Sequence, residues 1–268
     1  MKLAWMATVV VALLGASAAG DELVLKDGKS VAWKSLTDMG DYYDVVTEMG
    51  TKVSVPKDTV VSFRKSAAAN PVLTGATMTF DKKVKLTTTD LLKSIEAKRD
   101  SVAGTWTLAG GKLVGAPPAE GHGRFIIPVT PQEEYDLTMV VMRKSGVEDL
   151  GVGIVGGGKQ VTYIFDAFNG KICGLYNLGG RGADTNGTGV PGPVFEKATR
   201  TVVFMVRKAG LVIQVDGKDF FSWNADWNNV SVSPAHTTGI LSKSVLYLSV
   251  YKASFEISRM TLSTPRQP

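Results

Sequence analysis

From Trp106 onward the chain alternates apolar runs with turn residues and offers no apolar stripe at helical spacing. The runs are Arg124–Val129, Tyr135–Arg143, Val161–Phe168, Thr201–Arg207, Leu211–Val215, Val245–Tyr251 and Phe255–Leu262. Gly110-Gly111 and Asp216-Gly217 fall between such runs, where a two-residue hairpin turn requires positive backbone angles. About ten strands with no helix between them predict two packed antiparallel sheets. Val202 to Val206 is apolar on both faces, which suits a strand covered on both sides.

One stretch spells a different fold. Gly151-Val-Gly-Ile-Val-Gly-Gly-Gly158 matches the G-x-G-x-x-G lettering of a dinucleotide-binding loop. That loop must open a helix, whose first amides and dipole hold the pyrophosphate. Here Lys159-Gln-Val-Thr-Tyr-Ile-Phe-Asp166 follows, which is β-branched, aromatic and alternating. Gly156 to Gly158 is therefore read as a hairpin turn, with Gly151 and Gly153 as thin places where a large side chain or another backbone approaches. No cofactor is expected.

The first hundred residues are organised differently. Residues 1–20 read as a secretory signal: Lys2, an apolar stretch from Leu3 to Leu14, then Gly15-Ala-Ser-Ala-Ala-Gly20, with cleavage after Ala18 or Gly20. An uncleaved N-terminal anchor is the alternative. No later segment is long and apolar enough to span a membrane. Residues 21–65 carry four or five short strands, with Asp27-Gly28 as a hairpin turn. Residues 66–100 are a linker, in which Leu91, Leu92 and Ile95 share one face of a predicted short helix over Thr89–Lys98, with Thr89 as its cap. The sandwich occupies 101–264.

Charge and cysteine content narrow the function. The formal net charge of +5 falls to +4 without Lys2, too mild and too dispersed for nucleic acid, and Lys82-Lys83-Val84-Lys85 has no aromatic residues interleaved. With Cys173 alone, no intrachain disulfide exists, and its apolar setting marks it as a small buried hydrophobe. No Cys/His spacing of a metal site is present, and no metal is expected.

Candidate binding chemistry concentrates in Phe220-Phe-Ser-Trp-Asn-Ala-Asp-Trp227. A sugar's C–H face lies well on an indole while amide and carboxylate groups meet its hydroxyls, which nominates Trp223, Asn224, Asp226 and Trp227, with Trp227 the more exposed ring. Trp223 could equally plug the sandwich, with Asn224 and Asp226 forming a turn. The glycine-rich loop from Leu178 to Pro193 offers Arg181, Asp184 and Asn186 to a ligand or, through oxygens, to a calcium ion, although no spaced calcium loop is present; the alternative is a mobile excursion. Asn186-Gly-Thr188 is a glycosylation sequon. Asp166 interrupts an apolar strand, either lining a cleft or facing water. Glu120 with His122 is a conceivable acid/base pair, while His236 and the carboxylates Glu133, Glu134, Glu148 and Asp149 are unplaced by sequence.

The block Asp90 to Trp106, with Gly111-Lys-Leu113, Pro128, Glu134-Tyr-Asp-Leu137, Val141-Met-Arg-Lys-Ser-Gly146, Asp216-Gly-Lys218 and Trp223, resembles exported β-sandwich domains of planctomycete-type bacteria. These are akin to laminin-G-like and concanavalin-like jelly rolls and to the sandwich called 3-keto-disaccharide hydrolase. Leu25 to Phe63 resembles a small SH3-like barrel. The resemblance implies an all-β fold, SH3-like barrel then sandwich, and a carbohydrate-facing context; it carries no catalytic set over by position. The expected function is noncatalytic binding of a glycan or cell-surface protein by an exported chain, periplasmic or secreted. A sugar-active hydrolase and a protein-binding scaffold are the alternatives.

Overall fold

The computed structural model describes residues 21–33, 35–47, 50–64, 73–196 and 198–266. The expected signal segment and the residues around Lys65 to Pro71 lie outside that set. The chain divides into two compact units, Met1–Pro71 and Val72–Pro268.

In the first unit, Asp21–Leu25 lies between Ser30–Trp33 and Val60–Arg64, and Tyr42–Val46 lies between Ser35–Asp38 and Lys52–Pro56. Gly28, at φ +81°, makes the expected turn beside Asp27, whose carboxylate accepts from the Lys29 amide. The two three-stranded sheets share a core of buried Leu23, Val45 and Val55.

The second unit is the expected all-β sandwich. Its eight-stranded sheet runs Lys218–Asn224, Gly210–Val215, Arg200–Arg207, Tyr135–Gly146, Ala253–Pro265, Lys112–Ala116, Thr105–Ala109. Leu86–Asp90 adds to the far end of Ala253–Pro265. The seven-stranded sheet runs Val190–Pro191, Ile172–Tyr176, Lys159–Asp166, Leu150–Gly156, Leu246–Tyr251, His122–Ile127, Ser101–Ala103. The pairings are antiparallel. Period-two alternation builds the core: Tyr135, Leu137, Met139 and Val141 point inward from one strand, and Leu150, Val152 and Ile154 join the same cluster from the other sheet. Tyr163 meets Phe165 and Phe221 edge-on at 4.8 and 4.9 Å, so rings fill the gap between the sheets.

Two segments depart from expectation. No helix spans Thr89–Lys98: Leu86–Asp90 is strand, Leu91–Lys93 a 3-10 turn and Ala97–Asp100 a single helical turn. Asp90, rather than Thr89, caps the first turn by accepting from the Leu92 amide. The three apolar side chains are buried nonetheless, because two tight turns present them to the sheet as well as a helix would. Upstream, Leu73 and Met78 pack on Met205 and Val212, so residues from 73 onward belong to the sandwich unit.

The Gly151–Gly158 stretch is a hairpin. Gly157 and Gly158 turn at φ +53° and +72°, and Lys159–Asp166 pairs back along Leu150–Gly156. A side-chain carbon on Gly153 would collide with the Tyr247 ring, and one on Gly156 with the Trp227 ring. These glycines are thin places under large aromatic side chains, and the helix a nucleotide loop requires is absent at this position.

Candidate functional site

The nominated residues separate. Trp227 begins the 3-10 turn Trp227–Asn229 and is buried, its ring lying over the hairpin tip and its Nε1 donating to the Lys208 carbonyl at 3.2 Å. The expectation that it is the exposed ring is therefore corrected. A flat indole is what covers a tip built of glycines, and covering removes it from solvent. Trp223, near the end of edge strand Lys218–Asn224, is half-buried and stands perpendicular to Trp227, ring centroids 5.0 Å apart. Asn224 is half-buried and Asp226 exposed, its carbonyl accepting from the Asn229 amide. The patch is one buried support and one partly presented ring beside two polar side chains.

Asp166 faces neither a cleft nor water. It is fully buried, at φ +60°, where Lys159–Asp166 ends in a tight turn. Its carboxylate accepts from the Val194 amide at 2.6 Å, the Phe195 amide at 2.9 Å and the Arg143 guanidinium. Cys173, also buried, donates its thiol to the same carboxylate at 3.6 Å, and burial pushes that thiol far above its ordinary pKa. Arg143 comes from the eight-stranded sheet and Asp166 from the seven-stranded one, so the pair ties the two layers. An acid with its lone pairs so committed holds structure and has no capacity left for a sugar.

Arg181 is exposed in the glycine-rich loop, bonded through its backbone to Leu178, and no described interaction joins it to Trp223. The loop is not a free excursion. Asn186 Nδ2 donates to the Leu175 carbonyl at 2.7 Å, Thr188 donates to Asn186 Oδ1 at 2.7 Å, and Ala183 is buried. Three surface recesses of about 350, 330 and 270 Å³ touch none of Trp223, Asn224, Asp226, Trp227, Asp166 or Arg181.

A second polar cluster lies on the outer face of the seven-stranded sheet, away from the core. His122 sits opposite Tyr251 and Arg124 opposite Ser249 in neighbouring strands, while Asp149 precedes Leu150–Gly156. The single turn Pro234–Thr237 lays His236 onto this face, where its Nδ1 is 2.8 Å from Ser249 Oγ. His122 stacks on Tyr251 at 4.6 Å and meets His236 at 71° with centroids 4.6 Å apart. His122 turns toward His236, while Glu120 is exposed, so the conceivable acid/base pairing does not form.

Burial, with some help from Arg124, lowers His122 to about 4. Burial, then the charges of His122 and Arg124, lowers His236 to about 3. Asp149 is raised to about 7, by burial first and the neighbouring Glu148 charge second. Two neutral imidazoles and a carboxyl thus converge, one ligating atom from each within 4.8 Å of the others. Spacing could not reveal this, because the three residues come from separate segments. The legible trace was Gly151, where a side-chain carbon would press on Ser249 and His236.

No protein-family model matches the chain, and comparison with curated proteins finds no match. Among solved structures, a carbohydrate-binding module from Bacillus subtilis aligns at 11% identity and TM-score 0.43, over 61% of this chain and 94% of its own. A Bacillus subtilis protein of unknown function with a galectin-like fold aligns at 10% and 0.42, over 74% and 96%. A galectin of Caenorhabditis elegans aligns at 12% and 0.32, over 53% and 95%. Identities near a tenth and scores below one half tie this chain to none of their activities. Among the described residues, no helix is long and apolar enough to cross a membrane.

Proposed function

We propose that the chain is an exported, noncatalytic binding protein that takes a glycan at the Lys218–Asn224 edge of its sandwich. The observation that carries this reading is the half-buried Trp223 ring, braced perpendicular to buried Trp227, beside Asn224 and exposed Asp226. An indole face accepts the C–H face of a pyranose, and the amide and carboxylate accept and donate around its hydroxyls. A ring already held in place loses little freedom on binding, which favours affinity from a small contact. Trp227 serves as the brace and Asp166 as an interlayer tie, so neither is a contact. Export would follow cleavage after Ala18 or Gly20, and N-terminal sequencing of protein recovered from the producing cells checks it, a retained Met1 counting against it.

The test of binding is a glycan array probed with the full chain, followed by titration of the best hit against Asp226→Asn and Trp223→Ala. Removing the stacking ring is expected to weaken binding at least about tenfold, roughly 1.4 kcal/mol. Asp226 is exposed, so its substitution leaves the fold intact and reports on contact alone. A chain that captures no glycan, or whose affinity is untouched by both substitutions, rejects the reading.

A further inference from the structure

We propose that His122, Asp149 and His236 form a binding site for a divalent transition-metal ion of the zinc class on the outer face of the seven-stranded sheet. The inference is independent of glycan binding, since no described interaction links these residues to Trp223.

Geometry comes first. One ligating atom from each residue lies within 4.8 Å of the other two. Metal–nitrogen and metal–oxygen bonds of about 2.0–2.2 Å in a tetrahedral site need slightly closer ligands, within reach of small side-chain rotations. The two imidazoles are not stacked on each other. They meet at 71°, whereas His122 and Tyr251 lie nearly parallel at 16°. Stacking on Tyr251 fixes the His122 ring, and the Ser249 hydroxyl at His236 Nδ1 leaves Nε2 as the nitrogen available to a metal. An outer partner of this kind sets the tautomer of a ligating histidine.

A second observation is the state of Asp149. It is 6% exposed, and its Oδ1 is buried with no hydrogen-bond partner. Burying a carboxyl oxygen unpaired is costly, and a coordinated cation would satisfy it. Its backbone carbonyl accepts from the Tyr251 amide at 3.1 Å, which anchors the turn that carries it. Gly151 completes the arrangement, since a side-chain carbon there would crowd the Ser249 hydroxyl and stand 3.2 Å from His236 Nδ1. The glycine lets the histidine descend to the sheet.

The donor set chooses the ion. Calcium and magnesium take oxygen ligands, whereas two imidazoles and one carboxylate suit zinc and its first-row neighbours. Three protein ligands leave a fourth position, and His122, half-buried, lies at the accessible side. Arg124 adds a positive charge close by, with Nη1 held by the Ala235 carbonyl and Nε buried without a partner. That charge opposes a bare cation, and the Asp149 carboxylate answers it; an anionic fourth ligand beside Arg124 would answer it further.

The experiment uses the full chain without a histidine tag, stripped with a chelator and titrated with zinc chloride by calorimetry. One equivalent per chain is expected, and cobalt(II) in its place should show the visible absorption of a tetrahedral complex. His122→Ala and the isosteric Asp149→Asn should each weaken binding at least about tenfold. Glu120→Gln, an exposed neighbour, should leave it unchanged. Circular dichroism of each variant establishes that it is folded before titration. Substoichiometric uptake by the parent chain, or parent-like affinity in either ligand variant, overturns the proposal and leaves the cluster as polar packing.

Discussion

At the scale of single residues, Asp166 shows how far a sequence can point without placing. An acid closing an apolar strand was visible; its partner Arg143, on the other sheet, was not, because layer-to-layer contacts leave no periodic trace. Asp166→Ala would leave the Arg143 guanidinium, only 9% exposed, buried without its counter-charge, and the Val194 and Phe195 amides without an acceptor. The expected loss is about 3–5 kcal/mol in urea unfolding, the range for breaking one side of a buried pair. A loss under about 1 kcal/mol would mean that the pair is not the tie between the layers. Gly153 makes a complementary case, because its role could be read from the sequence. Gly153→Ala pushes a methyl group into the Tyr247 ring and should cost about 1–3 kcal/mol. Since the clash is with one side chain, Tyr247→Leu in the same chain should recover part of the loss, a coupling that a double-mutant cycle measures. Additive losses would place the strain elsewhere.

Among the elements, strands were legible and the short turns were not. Tyr135–Gly146 alternates buried and half-buried residues from Tyr135 to Met142, so its period of two is written directly in the residue order. Leu91, Leu92 and Ile95 carry a spacing that a helix and a pair of tight turns satisfy equally. Pairing of Leu86–Asp90 with Ala253–Pro265, far along the chain, decides between them. The glycine-rich loop escaped for a related reason: its polarity suggested freedom, but Asn186 and Thr188 spend that polarity on the Leu175 backbone and on each other. The hairpin of Leu150–Gly156 with Lys159–Asp166 and its aromatic cover make one cooperative element. Trp227→Ala would uncover the tip and remove the donor to the Lys208 carbonyl, at an expected cost of about 3–5 kcal/mol. Hydrogen exchange locates the effect: amides from Val155 to Lys159 should exchange faster, while those of Tyr135–Gly146 change only with global stability. Uniform acceleration across both sheets would show that the tip has no stability of its own.

For the whole molecule, the two units have separate cores, the first around Leu23, Val45 and Val55 and the second around the ring-filled gap between the sheets. What the sequence shows well is this large-scale partition of apolar side chains, because burial between two sheets repeats along every strand. What it hides is the outer face of the seven-stranded sheet, where polar side chains from distant segments meet once and without repetition. Charge acts at this scale too. Asp216 is held below the usual carboxylate range, by the Thr201 amide first and Arg200 next; Asp219 by Gln214 first and then the Gly75 amide; Glu256 by Lys112 first. For each, the unfolded chain takes up its proton at a higher pH than the folded one does. Their stabilisation is therefore complete above the unfolded values of about 4 and is lost as pH falls through the lower folded values. Asp149, raised to about 7, acts in the opposite sense, but only between its unfolded value and 7. Below about pH 4 the lowered carboxylates act unopposed by it, and buried His236, lowered to about 3, adds to the loss in the same sense, so the urea midpoint of the sandwich should drop steadily between about pH 4 and pH 2.5. Asp216→Asn with Asp219→Asn should flatten that drop, since an asparagine at 216 tolerates the φ of +49° and keeps an acceptor for the Thr201 amide without a titrating charge. An unchanged slope in the double variant would move the origin of acid sensitivity away from this edge of the eight-stranded sheet.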